Sequence, residues 1–313
     1  MDPLADALTI SGVRGALATR IEAGGQWALS VDGHDTPALH AVTAGHAWLS
    51  APGIPPVELA PGDVVLLPAG SPYRLSNDPS GPTGQRLARQ TRDPDRSLVE
   101  FVIQDPIRLG STPVSTRIAT IEYHSDPVTL TQILSALPSL VHVRADSGAA
   151  GLNDAVRMLA RETTSPGIGT TAVLRSLVDI VLVEMLRAWL TENPPECFGT
   201  WLGALGDPVV GDALQHLHED PATPWTTTSL AEAISVSRAT LARRFPSATG
   251  LTPAAYLTQW RMDLAAVRLR DTHDPVELIA ASVGYGSVPA FTRAFARAHG
   301  LPPGRYRARK RDR

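Results

Sequence analysis

Cysteine is almost missing from this chain: Cys197 is the single example among 313 residues. One thiol cannot close an intrachain disulfide or build a multi-cysteine zinc site. That composition fits a reducing compartment and a cytoplasmic protein. No stretch approaches about 18 uninterrupted apolar residues, so no membrane span is expected. Met1-Asp2-Pro3-Leu4 lacks a basic segment followed by an apolar core, so no secretory signal is expected either. Lysine is nearly absent as well, since Lys310 is the only basic residue out of 28 that is not arginine. A biased genome explains that as readily as phosphate binding does. What remains is an ordinary globular mix, 43% hydrophobic and 19% charged, of a length that suggests about two domains.

The net charge of −3 hides an asymmetry. Residues 1–206 carry 14 Arg against 21 Asp and Glu, or −7. Residues 207–313 carry 14 basic against 10 acidic residues, or +4, and from Arg238 onward the count is 14 against 5, or +9. A basic module joined to an acidic one suggests a polyanionic partner for the basic end.

The first 145 residues read as β. Short runs at 26–31, 39–43, 47–49 and 64–67 lie between Gly, Pro and Asp clusters, the pattern of a sandwich or barrel. Residues 76–97 are polar and rich in Pro, Gly and Arg, the composition of a long loop. Strand-like runs return at 98–103 and 117–123. Helical spacing then takes over, first at Leu152, Val156 and Leu159. A second helix over 172–190 carries an apolar stripe wider than one core face requires. Two readings of that stripe stay open: packing on the β domain, or docking on a second copy. Residues 193–207 read as a linker, and Cys197 within it has no neighbouring cation to activate it.

The last hundred residues are helical. Val210, Ala213, Leu214 and Leu217 mark a first amphipathic helix. Ser229 with Glu232 reads as a capping box opening a short helix over 230–234, and Ser237 caps the next, 238–247. Pro253 opens a longer helix to about Arg270. Short helices follow at 276–283 and 288–298, the last stopping at Gly300-Leu301-Pro302-Pro303. A short helix, a tight turn and a second helix thus occur twice, which is the helix-turn-helix plan. In the first unit Leu241 and Phe245 face inward, leaving Arg238, Ala239, Ala242 and Arg243 outside, with Arg244 adjacent. In the second, Phe291 and Phe295 face inward and Val288, Pro289, Thr292 and Arg293 fall outside. Arginine can pair bidentately with guanine or hold a phosphate. The 253–270 helix spans about 27 Å and is suited to hold two reading helices about one DNA turn apart, roughly 34 Å. Arg261 and Arg268 on its polar side are candidate phosphate contacts.

These residues resemble the DNA-binding domain of the AraC/XylS family of bacterial transcription regulators. The resemblance runs through Ser237-Arg238-Ala239-Thr240-Leu241-Ala242-Arg243-Arg244-Phe245 and Gly250-Leu251-Thr252-Pro253. It continues in Trp260-Arg261-Met262, Val283-Gly284-Tyr285, Phe291-Thr292-Arg293-Ala294-Phe295 and Tyr306-Arg307. It implies that Ala239, Ala242 and Arg243, then Val288, Pro289, Thr292 and Arg293, face the bases. The chain departs from common members at Val288-Pro289, where polar side chains are frequent. Methyl contacts or phosphate anchoring are the alternatives there. Upstream, Pro61-Gly62-Asp63 through Gly70, with Pro72-Tyr73-Arg74-Leu75, resembles the second motif of cupin barrels fused ahead of such domains. The two His one residue apart that catalytic cupins supply are missing around His40, and Tyr73 stands at the later His position.

The expected architecture is α+β with two domains: a cupin-like β-barrel followed by helices, then an all-α domain with two helix-turn-helix units. The boundaries are 1–145 for the sensor barrel, 146–192 for a helical, dimerising segment, 193–207 for the linker and 208–313 for DNA binding. The expected activity is sequence-specific regulation of transcription, not catalysis, with no cofactor or metal. The barrel would hold a small-molecule effector among Trp27, His40, Trp48 and Tyr73, with Arg20 as an anion partner. Expected partners are double-stranded DNA, that effector, a second copy in a homodimer, and RNA polymerase, with no membrane. The alternative is a cupin-type metal enzyme with a helical docking module.

Overall fold

A computed structural model describes residues 14–33, 37–68, 72–81, 84–87, 102–124, 137–193, 204 and 207–311. They divide into two compact units, one of residues up to 192 and one beginning at 193. Cys197 and most of the 193–207 segment lie outside the described residues.

The strands of the first unit are β1 (Arg14–Gly24), β2 (Ala28–Val31), β3 (Ala38–Ala44), β4 (Ala47–Ala51), β5 (Ile54–Leu59) and β6 (Val64–Leu67). They continue as β7 (Tyr73–Ser76), β8 (Gln85–Leu87), β9 (Val102–Ile103), β10 (Ile107–Gly110), β11 (Thr116–His124) and β12 (Val141–Val143). One sheet runs β10-β1-β11-β3-β6-β12, with β9 also against β1, and the other runs β5-β4-β7-β2-β8. Apolar side chains from both sheets meet in one core, including Ile21, Leu29, Val42, Leu49, Val65, Leu75 and Ile118. Strand alternation decides which residues take part. Pro55 and Pro56 are exposed on β5, the edge position where a missing N–H breaks no inner ladder. Part of the 76–97 segment expected as a loop is instead strand, since β8 pairs parallel with β2. Gly24 and Gly110 sit opposite each other where β1 meets β10. A Cβ on Gly24 would lie 2.2 Å from the carbonyl oxygens of Ser111 and Pro113, so the close approach excludes any side chain.

Helices α1 (Ala150–Thr164) and α2 (Thr170–Glu192) cover the back of the larger sheet. Leu174, Leu177, Val178, Val181, Leu182, Met185, Leu186 and Trp189 of α2 are all buried within the chain. The Tyr123 hydroxyl donates to the Val178 carbonyl at 2.7 Å, pinning β11 to α2. The wide stripe therefore serves mainly this domain. Val173 and Ile180, 39% and 47% exposed, are what α2 leaves open.

The second unit contains α3 (Pro208–Glu219), α4 (Thr227–Ala233), α5 (Arg238–Thr249), α6 (Pro253–Asp271), α7 (Val276–Ser282), α8 (Val288–His299) and α9 (Pro303–Arg311). Asp207, Thr226, Ser237, Thr252 and Ser287 each cap a helix by accepting backbone N–H groups. The cap of α4 is Thr226, not Ser229. Ser229 is the third helical residue and bonds back to Thr226, so the helix begins earlier than its apolar residues suggest. Helix α9 was not expected from sequence. The Pro302-Pro303 stop is also a start, because proline suits the first helical turn.

Helix α6 serves two cores. Tyr256, Leu257 and Trp260 are buried toward the first helix-turn-helix unit, where the Trp260 and His218 rings stack with centroids 3.5 Å apart. Met262, Ala265, Ala266 and Leu269 join Ile279, Phe291, Phe295 and Tyr306 in the second. Leu264 and Val267, apolar residues of the same helix, are only partly buried. The buried face changes along the helix because each half packs against a different bundle.

Candidate functional site

Two helices have the form of reading heads. On α5, Leu241 and Phe245 are completely buried, and this anchors the opposite face outward. Arg238, Ala239, Ala242 and Arg243 are exposed there. On α8, Phe291 and Phe295 are completely buried. Pro289 and Arg293 are exposed, and Val288 and Thr292 are half-buried. The two units repeat at a fixed offset: Ser237, Arg243, Phe245, Gly250, Pro253 and Tyr256 recur as Ser287, Arg293, Phe295, Gly300, Pro303 and Tyr306. Gly250 and Gly300 end their helices with φ of 73° and 72°, a left-handed cap that turns the chain into the following proline.

The arginines fall into two groups. Arg238, Arg243 and Arg293 have no hydrogen bond or ion pair among the described residues, and Arg268 is exposed as well. Arg244 and Arg261 are engaged within the fold. The Arg244 guanidinium grips Asp207 Oδ2 through Nε at 3.2 Å and Nη2 at 2.6 Å. Burial works against the Asp207 carboxylate. Hydrogen bonds from the Val210 N–H, Arg244 and the Val209 N–H nevertheless hold its pKa below the usual range. One carboxylate thus caps α3 and ties it to α5. The Arg261 Nε donates to the Pro221 carbonyl at 2.6 Å and its Nη2 to those of Ala222 and Thr223. Burial lowers its pKa, partly offset by Tyr285 and Asp220. It closes the loop ahead of α4. Asp207-Pro208 is a legible helix start, but nothing local to it announces the tie to Arg244.

The second unit holds a buried acid. Asp263 on α6 is 5% exposed, and burial pushes its pKa up to about 7 against one hydrogen bond from Gln259. His299, at the end of α8, donates from Nε2 to the Met262 carbonyl at 3.1 Å and lies 3.6 Å from Asp263 Oδ1.

In the barrel, His40, Tyr73 and Trp27 belong to the interior, whereas Arg20 and Trp48 do not. His40 is 1% exposed, with Nδ1 3.0 Å from Thr120 Oγ1 and Nε2 3.0 Å from Tyr73 Oη. Burial, then the charge of Glu122, pushes the Tyr73 phenol well up. Trp27 packs in the same core, and its indole N–H is buried without an acceptor among the described residues. Arg20 occupies the other face of β1 from Ile21 and Ala23. It pairs with Glu22 at 2.8 Å and donates to the Thr163 carbonyl at the end of α1. Trp48 alternates with the core residues Ala47 and Leu49 and therefore points out of the barrel. Both misplacements are a matter of parity along a strand, which an aromatic or cationic residue type alone does not reveal. Both His40 nitrogens are engaged by hydroxyl groups. Among the described residues no group of three or more His, Cys, Asp or Glu is arranged to hold a metal ion.

Comparison with known proteins covers both units. A family model described as Cupin matches residues 2–191, and one described as Helix-turn-helix domain matches residues 230–309. A putative AraC-like transcription regulator of Streptomyces lividans is 37% identical over 309 residues, 98% of each chain. A protein of the same description from Streptomyces antibioticus is equally similar, 37% identical over 98% of each chain. The HTH-type transcriptional regulator AlkR of Acinetobacter baylyi is 31% identical over 90% of this chain and 91% of its own.

Proposed function

The chain belongs to the AraC/XylS family of helix-turn-helix transcription regulators, with a cupin-type domain ahead of the helical one, and from that premise we propose how its residues do the work. It binds duplex DNA sequence-specifically and does not catalyse a reaction. Helices α5 and α8 enter successive major grooves from the ends of α6, whose 19 residues span about 28 Å. Arg238 and Arg243, with Ala239 and Ala242 packing against bases, read from α5. Arg293, Thr292, Val288 and Pro289 serve from α8, where the apolar pair favours thymine methyl groups over hydrogen bonds. Arg268 holds phosphate. The observation that carries this reading is the division of arginines, with the outward-facing ones unpaired among the described residues while Arg244 and Arg261 brace the fold.

A small molecule in the barrel controls binding. It would contact His40, Tyr73 and Trp27, and the buried indole N–H of Trp27 gives it one donor to satisfy. Two copies associate through the strip around Val173 and Ile180 on α2, and the dimer works in the cytoplasm on promoters that recruit RNA polymerase. Selection of duplexes from a random pool tests the core of the proposal. A recovered consensus with two blocks about one helical turn apart is the expected result, and recovery of unrelated sequences would refute it. Sedimentation of the full chain tests the dimer, and Ile180→Asp should convert it to monomer.

A further inference from the structure

Helix α9 is in the wrong place to be a frayed tail and carries the wrong residues to be mere packing. Its inner side is tied down. Pro303 and Tyr306 are buried, and Tyr306 meets Phe295 edge-on with ring centroids 5.3 Å apart. Arg307 donates to the Asp274 carbonyl at 2.5 Å, just before α7. The middle of α9 is therefore fixed beside the start of α7, the first helix of a helix-turn-helix unit and the one that crosses the DNA backbone.

The internal repeat shows what the fold alone asks of this helix. By the offset that relates Tyr256 to Tyr306, residues 305, 307, 309, 310 and 311 correspond to Ala255, Leu257, Gln259, Trp260 and Arg261. In the first unit those positions are mainly apolar, with Leu257 and Trp260 buried, and one arginine suffices to close the preceding loop. In α9 all five are basic: Arg305, Arg307, Arg309, Lys310 and Arg311, with no acidic residue in the helix. Arg307 performs the loop-closing task. Arg305 is exposed and has no partner among the described residues. By the measure of the first unit the helix carries four positive charges more than the fold asks for.

We propose that α9 is a phosphate clamp, a third DNA contact in which this basic helix, through its exposed Arg305, holds the duplex backbone beside the site read by α8. The proposal rests on the DNA-binding reading above and adds to it a contact outside both reading helices. It would supply affinity without sequence preference, which suits a unit whose reading head carries Val288 and Pro289 where side-chain donors would be needed for hydrogen-bonded readout.

The test uses the full chain, a mixed-sequence duplex long enough to span both reading helices, and the duplex selected from the random pool. The variant carries Arg305→Gln, Arg309→Gln, Lys310→Gln and Arg311→Gln, which keeps helix-forming side chains. The plot of log affinity against log salt should become shallower by about 0.9 for each phosphate that the variant no longer neutralises, on both duplexes. Base preference should stay unchanged. Arg305→Gln alone, at an exposed position that cannot unfold the protein, should make the slope shallower by about the amount due to one phosphate. Slopes equal to wild type would overturn the clamp while leaving the DNA-binding reading intact, as would an altered base preference at unchanged slope. A wild-type protein that selects no sequence would instead bring down the reading on which the clamp rests.

Discussion

Replacing Asp263 with Asn should make the protein more stable at neutral pH, and the gain should grow as pH rises. The side chain sits in the second bundle with a pKa of about 7 against an ordinary 3.8, burial being the cause. The folded state therefore holds its proton more tightly than the unfolded state does. Below the unfolded value both states are protonated and the group has no effect on stability. Between about 4 and 7 the unfolded chain ionises first, so stability falls as pH rises. Above the folded value the penalty is constant, at about 1.4 kcal/mol for each of roughly three units, or about 4 kcal/mol. Asn has the same shape, keeps a carbonyl for the Gln259 amide and never ionises. The difference in unfolding free energy between variant and wild type should be near zero at pH 4 and reach about 2–4 kcal/mol at pH 8. Hydrogen exchange of peptides spanning α6, corrected for intrinsic rates, reports that difference where the residue sits. The reasoning fails if the Asn variant is the less stable at pH 8. That result would mean that His299, 3.6 Å away, is protonated and that the two form an ion pair worth more than the cost of burial.

Neighbouring arginines on α5 should behave oppositely. Arg243→Ala should weaken binding to the selected duplex by about 1–3 kcal/mol and relax one base position, at unchanged melting temperature. Arg244→Ala should instead lower the melting temperature, by the equivalent of about 1 kcal/mol for a part-exposed pair, with base preference retained. Gly300→Ala meets nothing within 4 Å, so its cost is that of the left-handed backbone alone, about 1–2 kcal/mol by thermal unfolding. A larger loss would show that the cap does more than turn the chain. Tyr73→Phe removes the hydroxyl 3.0 Å from the buried His40 Nε2 and should cost about 1–3 kcal/mol, again by thermal unfolding. A neutral result would mean that the Tyr73 hydroxyl contributes nothing to holding the imidazole.

The helical half was largely readable because its information is local. Ser237 and Ser287 cap helices, Gly250 and Gly300 end them, and paired apolar residues four apart select the inward face; all of these act within one or two turns of chain. The boundaries that slipped did so where a cap lay beyond the apolar run, as with Thr226, or where a proline was read only as a stop, as with Pro303. The fixed repeat of Gly, Pro and Tyr between the two units carries the missing helix, since Pro303 and Tyr306 stand where Pro253 and Tyr256 open α6. In the barrel less was readable. Short strands leave little periodicity, and a shift of one residue exchanges the two faces, so Trp48 and Arg20 were assigned to an interior that they do not enter.

From its sequence alone this protein is committed to two capped helix pairs joined by a long helix, and to a β domain punctuated by glycine and proline. Periodicity and capping depend on neighbours in the chain. Which arginines remain available to a partner was decided only by tertiary structure. Arg243 and Arg244 are adjacent and chemically identical, yet one faces outward and the other is claimed by a carboxylate 37 residues away. A charge is free or taken according to what folding brings within about 3 Å of it, and sequence distance carries no record of that.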